Sequence, residues 1–199
     1  MTARKRTARL TRDTKETRIA GRLVIEGSGE SKIATPIGFF THMLETLAKH
    51  GAFDLDLAAE GDLHIDQHHT VEDTGLVIGA LFSEALGDKR GIVRAGHFAF
   101  PMDETLVEAA IDLSGRPAAV IKLPTKRRAV GELDADLVPE FFHAFAEKAR
   151  AAVHVQLRYG GNDHHRVEAA FKAFARALRM ACALDPQRAG KVASTKGSL

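Results

Sequence analysis

The run His68-His69-Thr70-Val71-Glu72 follows an Asp-rich turn, and His164-His165-Arg166-Val167-Glu168 repeats it after an Asn-Asp turn, at an offset of 96. Each copy pairs imidazoles with a carboxylate, a donor set for a divalent metal. Where His-His-x-x-Glu opens a helix, the first His and the Glu stand four residues apart on one face and grip one cation together. The second His points roughly 100° away and must serve a different ion or none. Two copies therefore suggest reciprocity, with His164, Glu168 and His69 around one ion and His68, Glu72 and His165 around another. Mixed N/O ligation without thiolate suits manganese, iron or zinc rather than calcium or magnesium. An open position taken by substrate would make each metal a Lewis acid.

A second set of residues suits an anion such as phosphate. Lys172 follows Glu168 by four residues, so His164, Glu168 and Lys172 share one helical face. Arg94 follows Gly91-Ile92-Val93, and Arg116 lies in Ser114-Gly115-Arg116-Pro117; guanidinium groups in such contexts can converge bidentately on phosphate. Ser194-Thr195-Lys196-Gly197 offers hydroxyls, a backbone nest and an ammonium near the C-terminus.

These residues need elements to hold them. Alternation predicts strands at Thr17–Ile25 and Ser31–Thr35, joined through Gly27-Ser28-Gly29. A helix follows over Gly38–His50, then a strand at Phe53–Leu57, then a helix from about Gln67 to Leu86 with Asp66 as its cap and Gly87 as its stop. The second half offers strands near Ala95–Pro101, Thr105–Leu113 and Ala118–Leu123, and a loop over 124–134. A helix at Leu137–Arg150, a strand at Val153–Tyr159 and a helix from His164 to Leu184 complete it, stopped by Asp185-Pro186. The predicted fold is α/β of the α+β type: two tandem repeats, each a small mixed sheet with two helices on one face, packed as one duplicated domain. The expected segments are a basic, mobile arm at 1–15, repeats at 16–90 and 91–186, and a mobile tail at 187–199 that orders on binding substrate.

Composition narrows the function. No apolar run approaches the ~18–20 residues of a membrane span, and MTARKRTARL lacks the apolar segment of a secretory signal. The single cysteine, Cys182, excludes a disulfide framework and fits a reducing, cytoplasmic setting. Of the formal net charge of +2, residues 1–15 carry +5 and the remainder −3. No aromatic side chain is interleaved with that basic arm to stack bases, so a nucleic-acid partner is not expected.

The chain resembles the imidazoleglycerol-phosphate dehydratases of histidine biosynthesis. The likeness runs through Thr14-Lys15-Glu16-Thr17, Phe39-Phe40-Thr41-His42-Met43-Leu44, Asp66–Asp73, Pro101-Met102-Asp103-Glu104, Asn162–Glu168, Ala170-Phe171-Lys172-Ala173 and Ser194-Thr195-Lys196-Gly197. It implies two manganese ions per active site, a shell of 24 identical subunits, and sites formed where subunits meet. His42 would join His69, His164 and Glu168, while the second site would hold His68, Glu72, His165 and a residue near 140. There the expected Val-x-His-Phe-Phe reads Val138-Pro139-Glu140-Phe141-Phe142. Glu140 stands opposite His42 in the repeat and can bind manganese; His143, one turn later, is the alternative, as is weaker metal binding. Thr41 replaces an aspartate of the family pattern.

By the same resemblance, the substrate is a small imidazole phosphate and the reaction is its dehydration to a keto-phosphate, with two metals stabilising an imidazolate form. Glu16, His50 and Glu168 are the proton-shuttle candidates, and Glu16, His42 and His50 also contact substrate. Arg94, Arg116, Lys172, Ser194, Thr195 and Lys196 would hold the phosphate. The rival readings are a di-metal phosphohydrolase and a metal-stapled module binding through residues 1–15.

Overall fold

The computed structural model describes residues 5–195. The elements run β1 (Thr7–Asp13), β2 (Thr17–Val24), β3 (Ser31–Ala34), α1 (Gly38–Gly51), β4 (Asp54–Gly61) and α2 (His68–Leu86). The second half runs β5 (Ala95–Met102), β6 (Thr105–Asp112), β7 (Ala118–Lys122), β8 (Ala129–Val130), β9 (Leu133–Asp134), α3 (Leu137–Ala149), β10 (Ala152–Tyr159) and α4 (Asp163–Cys182). Two four-stranded sheets have orders β1-β2-β4-β3 and β5-β6-β10-β7. In each, a helix crosses over to a parallel neighbour, β3 to β4 and β7 to β10, while the other pairs are antiparallel.

The duplication extends to backbone detail. Both crossover helices end on a residue in the left-handed conformation, Ala52 (φ 52°) and Arg150 (φ 50°), just before the strand that follows. The difference between the repeats lies in the segment before α3. It carries the short hairpin β8–β9 where a plain loop was expected, because Val130 and Leu133 bury there.

Alternation buries one face of each sheet: Ile19, Leu23, Leu55 and Leu57 in the first, Val107, Ile111, Val153 and Val155 in the second. These faces cover the helices, and one continuous core runs through the molecule. Phenylalanines knit the helices together, with Phe40 against Phe141, Phe82 against Phe145, and Phe142 against Phe171 and Phe174. Helices α2 and α3 run parallel in close contact because glycines face backbone. A Cβ on Gly75 would lie 2.6 Å from the Phe141 carbonyl, and one on Gly79 2.5 Å from that of Phe145.

Two expectations about the termini are corrected. The basic arm is not a loose segment over its described part: β1 pairs along its whole length with β2, from Thr7↔Val24 to Asp13↔Arg18. Ala8 points into the core while most of the charged side chains of β1 face out, so the strand hides inside a basic stretch. The first repeat thus begins before residue 16 and has four strands, like the second. The tail is docked rather than loose as far as Ala193, whose carbonyl accepts from Arg94. It forms a 3₁₀ turn at Pro186–Arg188, Gly91 N–H donates to the Lys191 carbonyl, and Asp185 N–H donates to that of Gly91.

Candidate active site at the helix openings

The helix starts carry the chemistry. Asp66 accepts the backbone N–H of His68 (2.8 Å) and Asn162 that of His164 (2.9 Å), so each histidine pair is launched from an Asx side chain. The openings lie at one end of the molecule around the β8–β9 hairpin. Gln67 donates to the Glu132 carbonyl, Gly38 approaches the Glu132 carboxylate, and Phe39 packs on the His164 ring at 5.0 Å.

At the opening of α1 and α4, three donors converge. Glu168 Oε2 lies 3.0 Å from His164 Nε2 and 3.8 Å from His42 Nε2, while its Oε1 takes the Lys172 ammonium at 2.8 Å. Burial alone would raise the Glu168 carboxyl. The ion pair with Lys172, the hydrogen bond from His164 and the charge of His42 outweigh it, holding the group below the usual carboxylate range. A cleft of about 470 Å³ opens beside this cluster, lined by His42, Glu45, His50, Glu168 and Lys172 among others. His50 packs edge-on against Phe100 (5.2 Å). Burial, then the charges of Lys172 and Arg176, lower its pKa and favour the neutral ring.

The opening of α2 gives a sparser set. His68 Nε2 stands 3.7 Å from Glu72, and Glu140 sits half-buried in the first turn of α3. The Thr41 hydroxyl is tied to that of Thr35 at 2.9 Å. His143 is exposed.

The spare histidines do not cross over within the chain. His69 turns to Asp62, whose carboxylate holds its Nδ1 at 3.1 Å and raises its pKa, and its Nε2 is 4.0 Å from Glu16. His165 turns to Glu104 (Nδ1, 2.7 Å) and Asp103 (Nε2, 3.6 Å). The reciprocal sets expected from the helix argument are therefore not assembled in one chain. Among the described residues, no group of three or more His, Cys, Asp or Glu side chains is spaced to hold a metal ion. The physical reason is the helix itself: a side chain pointing 100° away from its neighbour serves a different face of the molecule.

The structure sets the expected phosphate residues in two places on the chain. Arg94 makes a paired hydrogen bond to Asp112 (2.7 and 2.8 Å) and donates to the Ala193 carbonyl, which brings Ser194 and Thr195 near it. Arg116 is exposed on the β6–β7 turn. This group stands at the C-terminal end of α4, where Arg94 N–H meets the Ala181 carbonyl. Lys172 and Glu168 lie nine and 13 residues before Ala181 on α4, roughly 14 and 20 Å along its axis at about 1.5 Å per residue. Lys196 lies outside the described residues.

Sequence reasoning gave no role to Asp62, Asp103, Glu104 or the buried pair Asp163–Arg166, all of which hold the site's histidines or the loops beside them. The repeat contained a signal for Glu104, since the turn from β5 to β6 places it where Glu16 stands between β1 and β2.

The fold and its histidine-rich openings define a duplicated α/β enzyme, a carbon–oxygen lyase, as the comparisons establish. A sequence model for imidazoleglycerol-phosphate dehydratase matches residues 35–178. The chain is 54% identical to the imidazoleglycerol-phosphate dehydratase of Koribacter versatilis over 194 residues, 98% of this chain and 100% of that one. It is 56% identical to that of Acidiphilium cryptum, covering 98% and 99%. Crystal structures of the enzymes from Staphylococcus aureus (TM-score 0.82, 38% identity, 90% and 99% covered) and Pyrococcus furiosus (TM-score 0.83, 34% identity, 96% and 100% covered) share its fold. The chain belongs to the imidazoleglycerol-phosphate dehydratase family, whose reaction serves histidine biosynthesis. No helix among the described residues is long and apolar enough to cross a membrane.

Proposed function

We propose that the chain dehydrates imidazole glycerol phosphate to imidazole acetol phosphate in the cytoplasm. It does so with two manganese ions per site, inside a homo-oligomer of 24 copies whose sites are completed by neighbouring subunits. The observation that carries this reading is the split of the functional residues into incomplete groups. His42, His164 and Glu168 form one partial group, His68 and Glu72 another, and Arg94 with the segment at 193–195 a third, roughly 20 Å along α4 from Glu168. Each becomes useful only when another copy supplies His69 or His165 and an anion pocket.

The donors fit manganese. The imidazoles of His42 and His164 and the Glu168 carboxylate are the mixed N/O donor types that manganese takes, and Glu140 offers a harder oxygen ligand where the family pattern has histidine. When bound, the ions would supply positive charge that lets the substrate's ring hold the negative charge spent in expelling the hydroxyl.

The chain's own residues handle the protons and the phosphate. A general acid must protonate the departing hydroxyl and a base must take the proton from the neighbouring carbon. Glu16, exposed beside His69, and His50, held neutral in the cleft, are the groups suited to these transfers. Lys172 keeps Glu168 ionised, so that carboxylate can ligate or accept a proton. Arg94, fixed by Asp112, and Arg116 would receive the phosphate with Ser194, Thr195 and Lys196.

The test compares turnover of the wild type with Glu168→Gln and His69→Ala after reconstitution with manganese, following the keto-phosphate product. Both variants are expected to lose activity at least a hundredfold, and full activity in either would overturn the assignment. Native mass measurement with and without chelator tests the assembly: a monomer that turns over substrate would sink the shared-site reading.

A further inference from the structure

The duplication sets a carboxylate at the same point of each repeat, in the turn between its first two strands: Glu16 between β1 and β2, Glu104 between β5 and β6. Each faces the second histidine of a helix-opening pair, but each meets a different nitrogen. In the first repeat Asp62, just after β4, already holds His69 Nδ1, and Glu16 faces Nε2 from 4.0 Å. In the second repeat the chain after β10 reads Gly160-Gly161-Asn162, with no carboxylate to play the part of Asp62. There Glu104 itself binds Nδ1, at 2.7 Å, and the exposed Asp103 carboxylate takes the outer place, 3.6 Å from Nε2.

We propose that Glu104 is a positioning residue that fixes His165 as its Nδ1–H form and reserves Nε2 for a cation. Its counterpart Glu16, relieved of that duty by Asp62, keeps its carboxylate for the substrate. The two copies of one carboxylate have diverged into an anchor and a reacting group. This inference rests on the metal-dependent reading above.

The chemistry is constrained at each atom. An ionised carboxylate only accepts hydrogen bonds, so the proton between Glu104 and His165 belongs to Nδ1, and the neutral ring then has its lone pair on Nε2 alone. Glu104 is itself held from the other side. Its Oε1 accepts the N–H groups of Gly161 (3.1 Å) and Asn162 (2.9 Å) and the hydroxyl of Thr105 (3.1 Å). These bonds leave Oε2 aimed at the imidazole, and they join the anchor to the loop that launches α4.

That division between the two oxygens gives a sharp test in Glu104→Gln. The amide oxygen keeps the three bonds made by Oε1, while the amide NH₂ comes to face His165. The ring must then accept through Nδ1 and carry its proton on Nε2. The first readout is the tautomer of His165 in the metal-free chain, from long-range ¹⁵N–¹H spectra at about pH 8.5, where ordinary histidines are neutral. The wild type is expected to show Nδ1–H, and the variant Nε2–H with His69 unchanged. The second readout is manganese titration followed by electron paramagnetic resonance. One class of site is expected to weaken about 10–100-fold in the variant while the other is unaltered.

A wild-type His165 protonated on Nε2, or a variant with unchanged tautomer and unchanged manganese affinity, would overturn the proposal. A tautomer switch between wild type and variant in a wild-type chain that binds no manganese would instead refute the metal-dependent reading and leave the anchoring of His165 standing.

Discussion

Asp163 and Arg166, 4% and 6% exposed at the start of α4, form the most fully buried ion pair among the described residues. Asp163 Oδ2 accepts the N–H groups of Lys126 and Arg127 (2.9 and 2.8 Å), and its Oδ1 accepts Arg166 Nη1 at 3.0 Å. Arg166 also donates to the Pro124 and Gly160 carbonyls. The pair thus ties the loop before β8 and the loop before α4 to the helix that carries His164, His165 and Glu168. Asp163→Asn keeps the shape and both backbone bonds, but turns an amide NH₂ toward the guanidinium and leaves a buried charge without its counter-charge. Removing one partner of a buried pair costs about 3–5 kcal/mol. The two carbonyls still serve Arg166, which places the expected loss at the lower end, near ~3 kcal/mol. For a chain of this size that lowers the melting temperature by about 6–12 °C. The measurement is calorimetric or circular-dichroism melting at fixed protein and manganese concentration, since binding and assembly shift apparent stability. Adding Arg166→Met removes the orphaned charge and is expected to restore more than half of the loss. A drop below about 2 °C in the single variant, or a double variant as unstable as the two singles summed, would refute the reasoning.

Three further outcomes follow from the packing and the local electrostatics. A Cβ at Gly96 would collide with the Ala177 carbonyl of α4, so Gly96→Ala forces β5 and α4 apart and is expected to cost about 1–3 kcal/mol in denaturant unfolding; an unchanged midpoint would contradict the close approach. Cys182 is buried and its thiol is pushed up to about 12, so a thiol reagent at about pH 8 should react only after unfolding, and fast reaction with the native protein would refute this. His50 has its pKa lowered from 6.5 in the folded state, so the unfolded chain binds more protons as the pH falls past 6.5. The group contributes no penalty above that range and destabilises the fold below it. Replacement by Phe is expected to flatten the fall in stability between about pH 7 and pH 5, and an unchanged slope would count against the lowered value.

Much was legible without coordinates. The paired His-His-x-x-Glu runs, the four long helices and the repeat are local patterns, and hydrophobic periodicity reports reliably which face of a segment is buried. The motif likeness, supported by relatives above 50% identity, specified the family. Periodicity says nothing of which neighbour covers a face, and there the reading failed. The arm at 7–13 looked solvated because its basic residues dominate, yet its alternate positions complete a sheet edge. The tail has no core pattern because backbone hydrogen bonds, blind to side chains, dock it on residues 91–94.

The amino-acid sequence by itself determined which atoms are offered: imidazoles and carboxylates at helix starts, in two copies, with guanidinium and hydroxyl groups elsewhere. Tertiary structure decided where those atoms go. His69 and His165 each follow a ligand candidate by one residue, and that single step on a helix turns them to Asp62 and Glu104 rather than to each other. The rise along α4 then sets Arg94 apart from Lys172, with which it was expected to hold phosphate. Both results come from rotation and rise per residue acting through a rigid core, and a linear pattern of residue types does not contain them.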